Sequence, residues 1–233
     1  MSEDKKLISR REALKKIGGY TAGSVLGGMT LVNALNSKNN KVLASENTEH
    51  PWPYTKLDVE KVRKLGHEGY YLGNCGSGSF YGIISALEEK VGEPYDQIPF
   101  TPPANPLHFA GGGMVGTFGF TCGTLVGAAA AINLVTDSGE ASEIISELID
   151  WYKETEFPSD TANEYASNHE YLVDDYKSDE ELVQTVADSA HCEDSVLTWM
   201  DASGEDHGSP KRAERCARLT GDVVAKAVEL LNG

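Results

Sequence analysis

Residues 109–135 read FAGGGMVGTFGFTCGTLVGAAAAINLV: a glycine-rich turn, a single cysteine, and then a run of small and apolar residues long enough for a helix. Glycine carries no side chain, so Gly119, Gly123 and Gly127 let a second backbone or an inorganic group come close to Cys122. The spacing predicts a helix over 123–135 with Cys122 at or near its start. Ala128 to Ala131 give that helix a narrow waist for neighbouring helices. No dinucleotide or Walker-type phosphate fingerprint is present, which argues against a phosphate cradle.

On the C-terminal side, 140–155 is amphipathic, with Ile144, Ile145, Leu148, Ile149, Trp151 and Tyr152 on one face and Pro158 beyond its end. Residues 159–188 are acidic and weakly patterned, which predicts surface loops and short helices. Cys192 stands at another predicted helix start, capped by Asp194 or Ser195. Ser209-Pro210, a cap followed by a first-turn proline, opens the longest helix, running to about Leu231 with Cys216 inside it.

On the N-terminal side, Pro94, Pro99, Pro102, Pro103 and Pro106 impose a long irregular connection. Before it, 80–91 is a helix with apolar residues at helical spacing, capped by Ser77 or Ser79 and ended by Gly92 and Pro94. Cys75 lies just ahead of that helix, and 57–71 forms another, weakened near its end by Gly66, Gly69 and Gly73. His67, alone in this stretch, reads as a satisfied histidine rather than a ligand. The expected fold is mostly α, a bundle of about six helices with long Pro/Gly-rich loops and no strand pair.

The 233 residues hold 40% hydrophobic side chains with few aromatics, which suits a soluble globular protein and not a multi-span membrane protein. Ser9-Arg10-Arg11 precedes an uncharged run from Ile17 to Leu35 and then Val42-Leu43-Ala44. That is the pattern of an export signal over 1–44, of twin-arginine type with Ala13 where Phe is commoner, and it predicts an extracytoplasmic or periplasmic location. Residues 45–55 read as a linker or arm and 56–233 as the folded domain. Any membrane contact would run through an uncleaved signal.

The formal charge is −16; taking away the eight basic and three acidic residues of 1–44 leaves −21 for the remainder. Such a body is repelled by phosphate backbones, which excludes nucleic-acid binding.

Cys75, Cys122, Cys192 and Cys216 form no CxxC, and three of them stand at predicted helix starts, where the macrodipole favours a thiolate. Metal or iron–sulfur ligands would gather there. Two disulfides, in any of three pairings, and structural zinc remain the alternatives, although all-cysteine zinc sites use a close cysteine pair. No acid/base pair or nucleophilic triad is visible, so an electron carrier is expected in preference to a stand-alone enzyme. Glu193 and Asp194 read as capping or solvated acids. His191, beside Cys192, is the first histidine to consider for mixed ligation or a non-covalent haem.

Cys75, Thr121-Cys122-Gly123-Thr124-Leu125-Val126-Gly127, Cys192 and Cys216 resemble the C_GCAxxG_C_C redox-active family. Over a longer span, including Val91-Gly92-Glu93-Pro94-Tyr95 and Glu214-Arg215-Cys216-Ala217-Arg218-Leu219, the chain is similar to the split-Soret cytochrome c family. The resemblance implies a mostly helical, exported homodimer that exchanges electrons with a redox partner protein. It also implies that Cys75, Cys122, Cys192 and Cys216 hold an iron–sulfur cluster, 2Fe-2S ahead of 4Fe-4S. A thiol-disulfide oxidoreductase or sensor, and a disulfide-stapled partner-binding protein, are the competing readings. Thr121 and Gly123 replace the motif's glycine and alanine, and the later glycine shifts to Gly127. The chain has no CxxCH, so covalent c-type haem is not expected.

Overall fold

The computed structural model describes residues 49–100, 104–111 and 120–233. The predicted export signal over 1–44 and most of the glycine-rich turn lie outside them. Six α-helices carry the described residues, as the apolar spacing predicts.

Helix α1 (Val59–Val91) opens with Asp58, whose carboxylate accepts the Lys61 N–H. It breaks at Gly73 and at Asn74, which has φ 62° and ψ −172°. Asn is one of the few residues that tolerates positive φ. The break turns the helix back on itself, so arms 59–72 and 75–91 pack side by side. A Cβ on Gly69 would meet the Gly78 Cα at 2.8 Å, and one on Gly82 would meet the Gly66 Cα at 2.9 Å. These glycines are therefore the contact line between the two arms, not weak points of a helix end. The second arm starts at Cys75, five residues before the predicted Phe80. Ser79 is consequently no cap: its hydroxyl donates to the carbonyls of Cys75 and Gly76 within the helix.

The arm at 49–55 packs on the domain, with Trp52 N–H donating to Leu134 O at 2.7 Å and its ring edge-on to Tyr95. Helix α2 (Gly123–Val135) begins at Cys122 as predicted. Its small face is as tight as the sequence implies, since a Cβ on Gly127 would lie 2.1 Å from Gly76 O.

Helix α3 (Ser138–Glu154) is capped by Asp137 and buries Leu148 and Tyr152. Then β1 (Glu156–Phe157) pairs antiparallel with β2 (Thr185–Val186), a short strand pair that the sequence does not announce. Two residues per strand are too few for a period-2 pattern to register. Helix α4 (Asp160–Ser167) lies between them. Helix α5 (Cys192–Ser203) starts at Cys192, with His191 at the cap position making no side-chain capping bond. Helix α6 (Pro210–Asn232) is capped by Ser209 as predicted.

The apolar stripes meet in one core: Ile83, Ile84 and Leu87 from α1, Ile132 from α2, Leu148 from α3, and Leu219, Val223 and Val224 from α6. No helix among the described residues is long and apolar enough to cross a membrane.

Candidate metal centre

Four separate segments bring the four cysteines to one cavity of about 240 Å³. Cys75 comes from the fold of α1, Cys122 from the start of α2, Cys192 from the first turn of α5, and Cys216 from the second turn of α6. Tyr70, Asn74, Ser195, Val196, Arg212 and Arg215 complete most of the wall. No disulfide joins any two of the four cysteines, so none is used as a staple.

Two of the cysteines are fixed side by side by backbone. Cys122 N–H donates to Ala190 O at 2.8 Å and Cys192 N–H to Phe120 O at 2.7 Å, around an isolated antiparallel bridge between Thr121 and His191. Cys75 is held against the same place by glycine, because a Cβ on Gly123 would come within 2.7 Å of the Cys75 sulfur and 2.1 Å of Ala110 O. The smallness of Gly123 thus admits both the sulfur and the 108–110 turn. Gly127 is small because of helix–helix contact alone.

The thiols surround a space and do not meet at a point: among the described residues, no three His, Cys, Asp or Glu side chains converge closely enough for a single metal ion. Space for several water volumes, taking about 30 Å³ each, lies between them.

The electrostatics of the free protein also differ from the simple helix-terminus picture. Burial pushes the Cys122 thiol up, against a hydrogen bond from Tyr152 and the charge of Arg215. Cys192 is pushed up by burial and then by Cys122, Cys216 and Cys75. Helix N-termini favour the thiolate, but here desolvation outweighs them.

Two polar atoms on this wall are buried with no hydrogen-bond partner: Arg215 Nε and Asn74 Oδ1. The four sulfurs, the space between them and these unsatisfied groups fit a multi-atom, sulfur-ligated, anionic group.

The sequence reading reached the cysteines but not the rest of the wall. Arg212, Cys216 and Leu219 share one face of α6, and Ser195 follows Cys192 by one turn, so helical spacing from the cysteines was the available signal. His191 does not join them; its side chain is 61% exposed, 3.7 Å from Asp194. His207 lines the cavity instead, with no sequence cue. Asp194 stays solvated, whereas Ser195 is buried at the site and caps nothing. His67 is fully buried with Nε2 2.9 Å from Glu214, but its Nδ1 has no hydrogen-bond partner, so the expected satisfied histidine is satisfied on one side only.

Residues 81–230 match the model of a redox-active protein family defined by the C_GCAxxG_C_C pattern. The chain belongs to the C_GCAxxG_C_C family. It is 31% identical over 231 residues to split-Soret cytochrome c of Desulfovibrio desulfuricans, covering 97% of this chain and 78% of that relative. It also superimposes on a solved structure described as "A novel iron centre in the split-Soret cytochrome c from Desulfovibrio desulfuricans ATCC 27774". There the TM-score is 0.65 at 33% identity, over 78% of this chain and 70% of the other.

Membership in the C_GCAxxG_C_C family supports a redox role, and the likeness to an iron-centre protein is consistent with a metal cofactor. Cys75 lies just outside the matched segment. Its place beside the other three rests on the cavity. The C_GCAxxG_C_C cysteines are present without any CxxCH, although the relative is named a cytochrome c.

Proposed function

We propose that this protein is an exported electron-transfer protein in which Cys75, Cys122, Cys192 and Cys216 hold one iron–sulfur cluster, of 2Fe-2S type in preference to 4Fe-4S. The observation that carries the reading is the convergence of all four cysteines, none of them in a disulfide, on one cavity from four distant segments. That they line a cavity of about 240 Å³, with no three ligating side chains among the described residues grouped around one ion, favours a polynuclear group over a single zinc ion. When bound, such a cluster supplies reversible one-electron chemistry.

The chain's own residues would do the rest. Four thiolates replace four protonated thiols, so loading releases protons and is opposed by acid. Tyr152 donates to the Cys122 sulfur, Val196 and Leu219 limit water, and Arg212 and Arg215 offset negative charge.

Export would follow from the paired arginines of the leader, and assembly as a homodimer and exchange with a redox partner protein belong to the same proposal. The acidic body would steer a partner with a basic face.

Anaerobic purification followed by iron and acid-labile sulfide analysis and a visible spectrum tests the reading. Iron and sulfide in equal amounts with a thiolate-to-iron absorption band are expected, and Cys122→Ser should remove or alter that band. A colourless, iron-free protein whose thiols pair on oxidation would establish dithiol chemistry in its place.

A further inference from the structure

Arg215 is the charged residue whose surroundings the fold leaves incomplete. It is 1% exposed. One Nη donates to Ser195 Oγ at 2.8 Å, while Nε is buried without a partner on the cysteine-lined wall. The arginine ion pairs among the described residues are Arg63 with Glu60 and Asp222, and Arg218 with Glu214; Arg215 has none. A buried guanidinium without a counter-ion is strongly disfavoured, so the cavity needs an anionic occupant.

The surroundings of Arg215 also lead to a cysteine. Ser195 Oγ accepts from Arg215 at 2.8 Å and from the Tyr152 hydroxyl at 3.1 Å. Tyr152 in turn hydrogen-bonds to Cys122. The guanidinium, the two hydroxyls and the Cys122 sulfur thus form one connected polar line, along which the buried charge of Arg215 acts on Cys122. A second route is direct, since Arg215 itself lines the cavity and its Nε has no partner. Hydrogen bonds to cluster sulfurs and local charge are among the levers that set an iron–sulfur potential.

Resting on the cluster reading above, we propose that Arg215 is a positioning residue for the redox centre. Through its unpartnered Nε and through the Ser195–Tyr152 line to Cys122, it stabilises the more negative, one-electron-reduced state and raises the reduction potential. One electron enters from the donor and no covalent bond is made or broken. Arg212, whose Nη lies 4.0 Å from the Cys216 sulfur, adds to the same field from a more open position.

The test is a potentiometric titration of the full-length, anaerobically purified protein, with dithionite as reductant and the cluster's visible band as readout. Iron and sulfide content are measured first. Arg215→Gln should move the midpoint of the loaded fraction to more negative potential, and Arg215→Lys should move it less. Ser195→Ala and Tyr152→Phe, which keep the cavity volume nearly constant, should give smaller shifts of the same sign. A loaded Arg215→Gln protein with the wild-type midpoint overturns the proposal. Should the Gln variant fail to fold or load, the Lys variant decides: cluster content restored with a displaced midpoint supports the role, and failure of both overturns it. Wild-type protein without iron and sulfide overturns the cluster reading itself, a result read before any variant is made, and the role of Arg215 falls with it.

Discussion

Two arginines of α6, three residues apart and both buried, sit in opposite circumstances. Arg218 is completed: Nε donates to Glu214 at 3.2 Å, one Nη to Asn163 Oδ1 and Glu180 O, and the other to Ser178 O. Glu214 is completed in turn by His67 Nε2 and the Tyr71 hydroxyl, with Tyr171 stacked on the imidazole at 3.6 Å. Arg215 has one hydroxyl and no carboxylate. The comparison separates two uses of buried charge. A closed network fixes how α6 lies against α1, while an open one leaves attraction for something the chain does not supply.

Breaking the closed side should cost most. Glu214→Gln leaves Arg218 without its counter-ion, and removal of one partner from a buried pair typically costs about 3–5 kcal/mol. Urea unfolding should show that loss while the iron-to-protein ratio of the folded fraction stays unchanged. A parallel drop in iron would mean that the two networks are one.

Gly127→Ala acts on the cavity side. Its new methyl would meet Gly76 O and Ser79 Oγ, at 2.1 and 2.2 Å in the native arrangement, and must push the second arm of α1 away. Overpacking of this kind costs about 1–3 kcal/mol. Because Gly76 adjoins Cys75, cluster retention should fall along with thermal stability, unlike the Glu214 case. Unchanged iron retention would show that the position of Cys75 is not sensitive to this contact.

Arg215→Met sharpens the contrast from the other direction. Replacing an uncompensated buried charge by an apolar chain should leave the cluster-free protein as stable as before, or more stable by up to about 2 kcal/mol. Arg218→Met should be strongly destabilising in the same denaturant series. Equal losses would erase the distinction between the two arginines.

The smallest expected effect is on pH dependence. Burial would raise the Glu214 pKa, but the hydrogen bond and charge of His67, then Tyr71 and Arg218, hold it below the usual glutamate range. A lowered folded-state value means that the unfolded chain takes up its proton first as pH falls. Stability from this group is therefore complete above the ordinary glutamate range and is lost as pH drops through the lower, folded value. The Glu214→Gln protein should lack that portion of the acid-side slope in urea midpoints measured against pH.

Most of the helices could be read from apolar spacing, because each has to bury a stripe in a single core. The reading erred where local signals had two meanings. Gly66, Gly69 and Gly73 suggest fraying in a helix taken alone, yet Gly66 and Gly69 are what two arms of one folded-back helix need for backbone contact, and Gly73 is where it breaks. Ser77 and Ser79 suggest a cap, but the second arm starts earlier, at Cys75, because Asn74 takes the positive φ that starts it. At the site, the four cysteines were legible, since the pattern around Cys122 is distinctive. Tyr70, Asn74 and Arg215 were not, as nothing in their chemistry separates them from residues of an ordinary helix face, and Arg212 was marked only by its spacing from Cys216.

By itself, the sequence determined the helical class, the segments that carry thiols and the family resemblance, all of which depend on residue type and short-range spacing. Only the tertiary structure decided that the four thiols ring a space, with the Thr121–His191 bridge fixing two of them side by side. It also decided which of two like-charged neighbours on α6 is satisfied. Charge compensation is a property of what lies within a few ångströms across the fold, and the partners of Arg218 are contributed by residues up to 55 positions away.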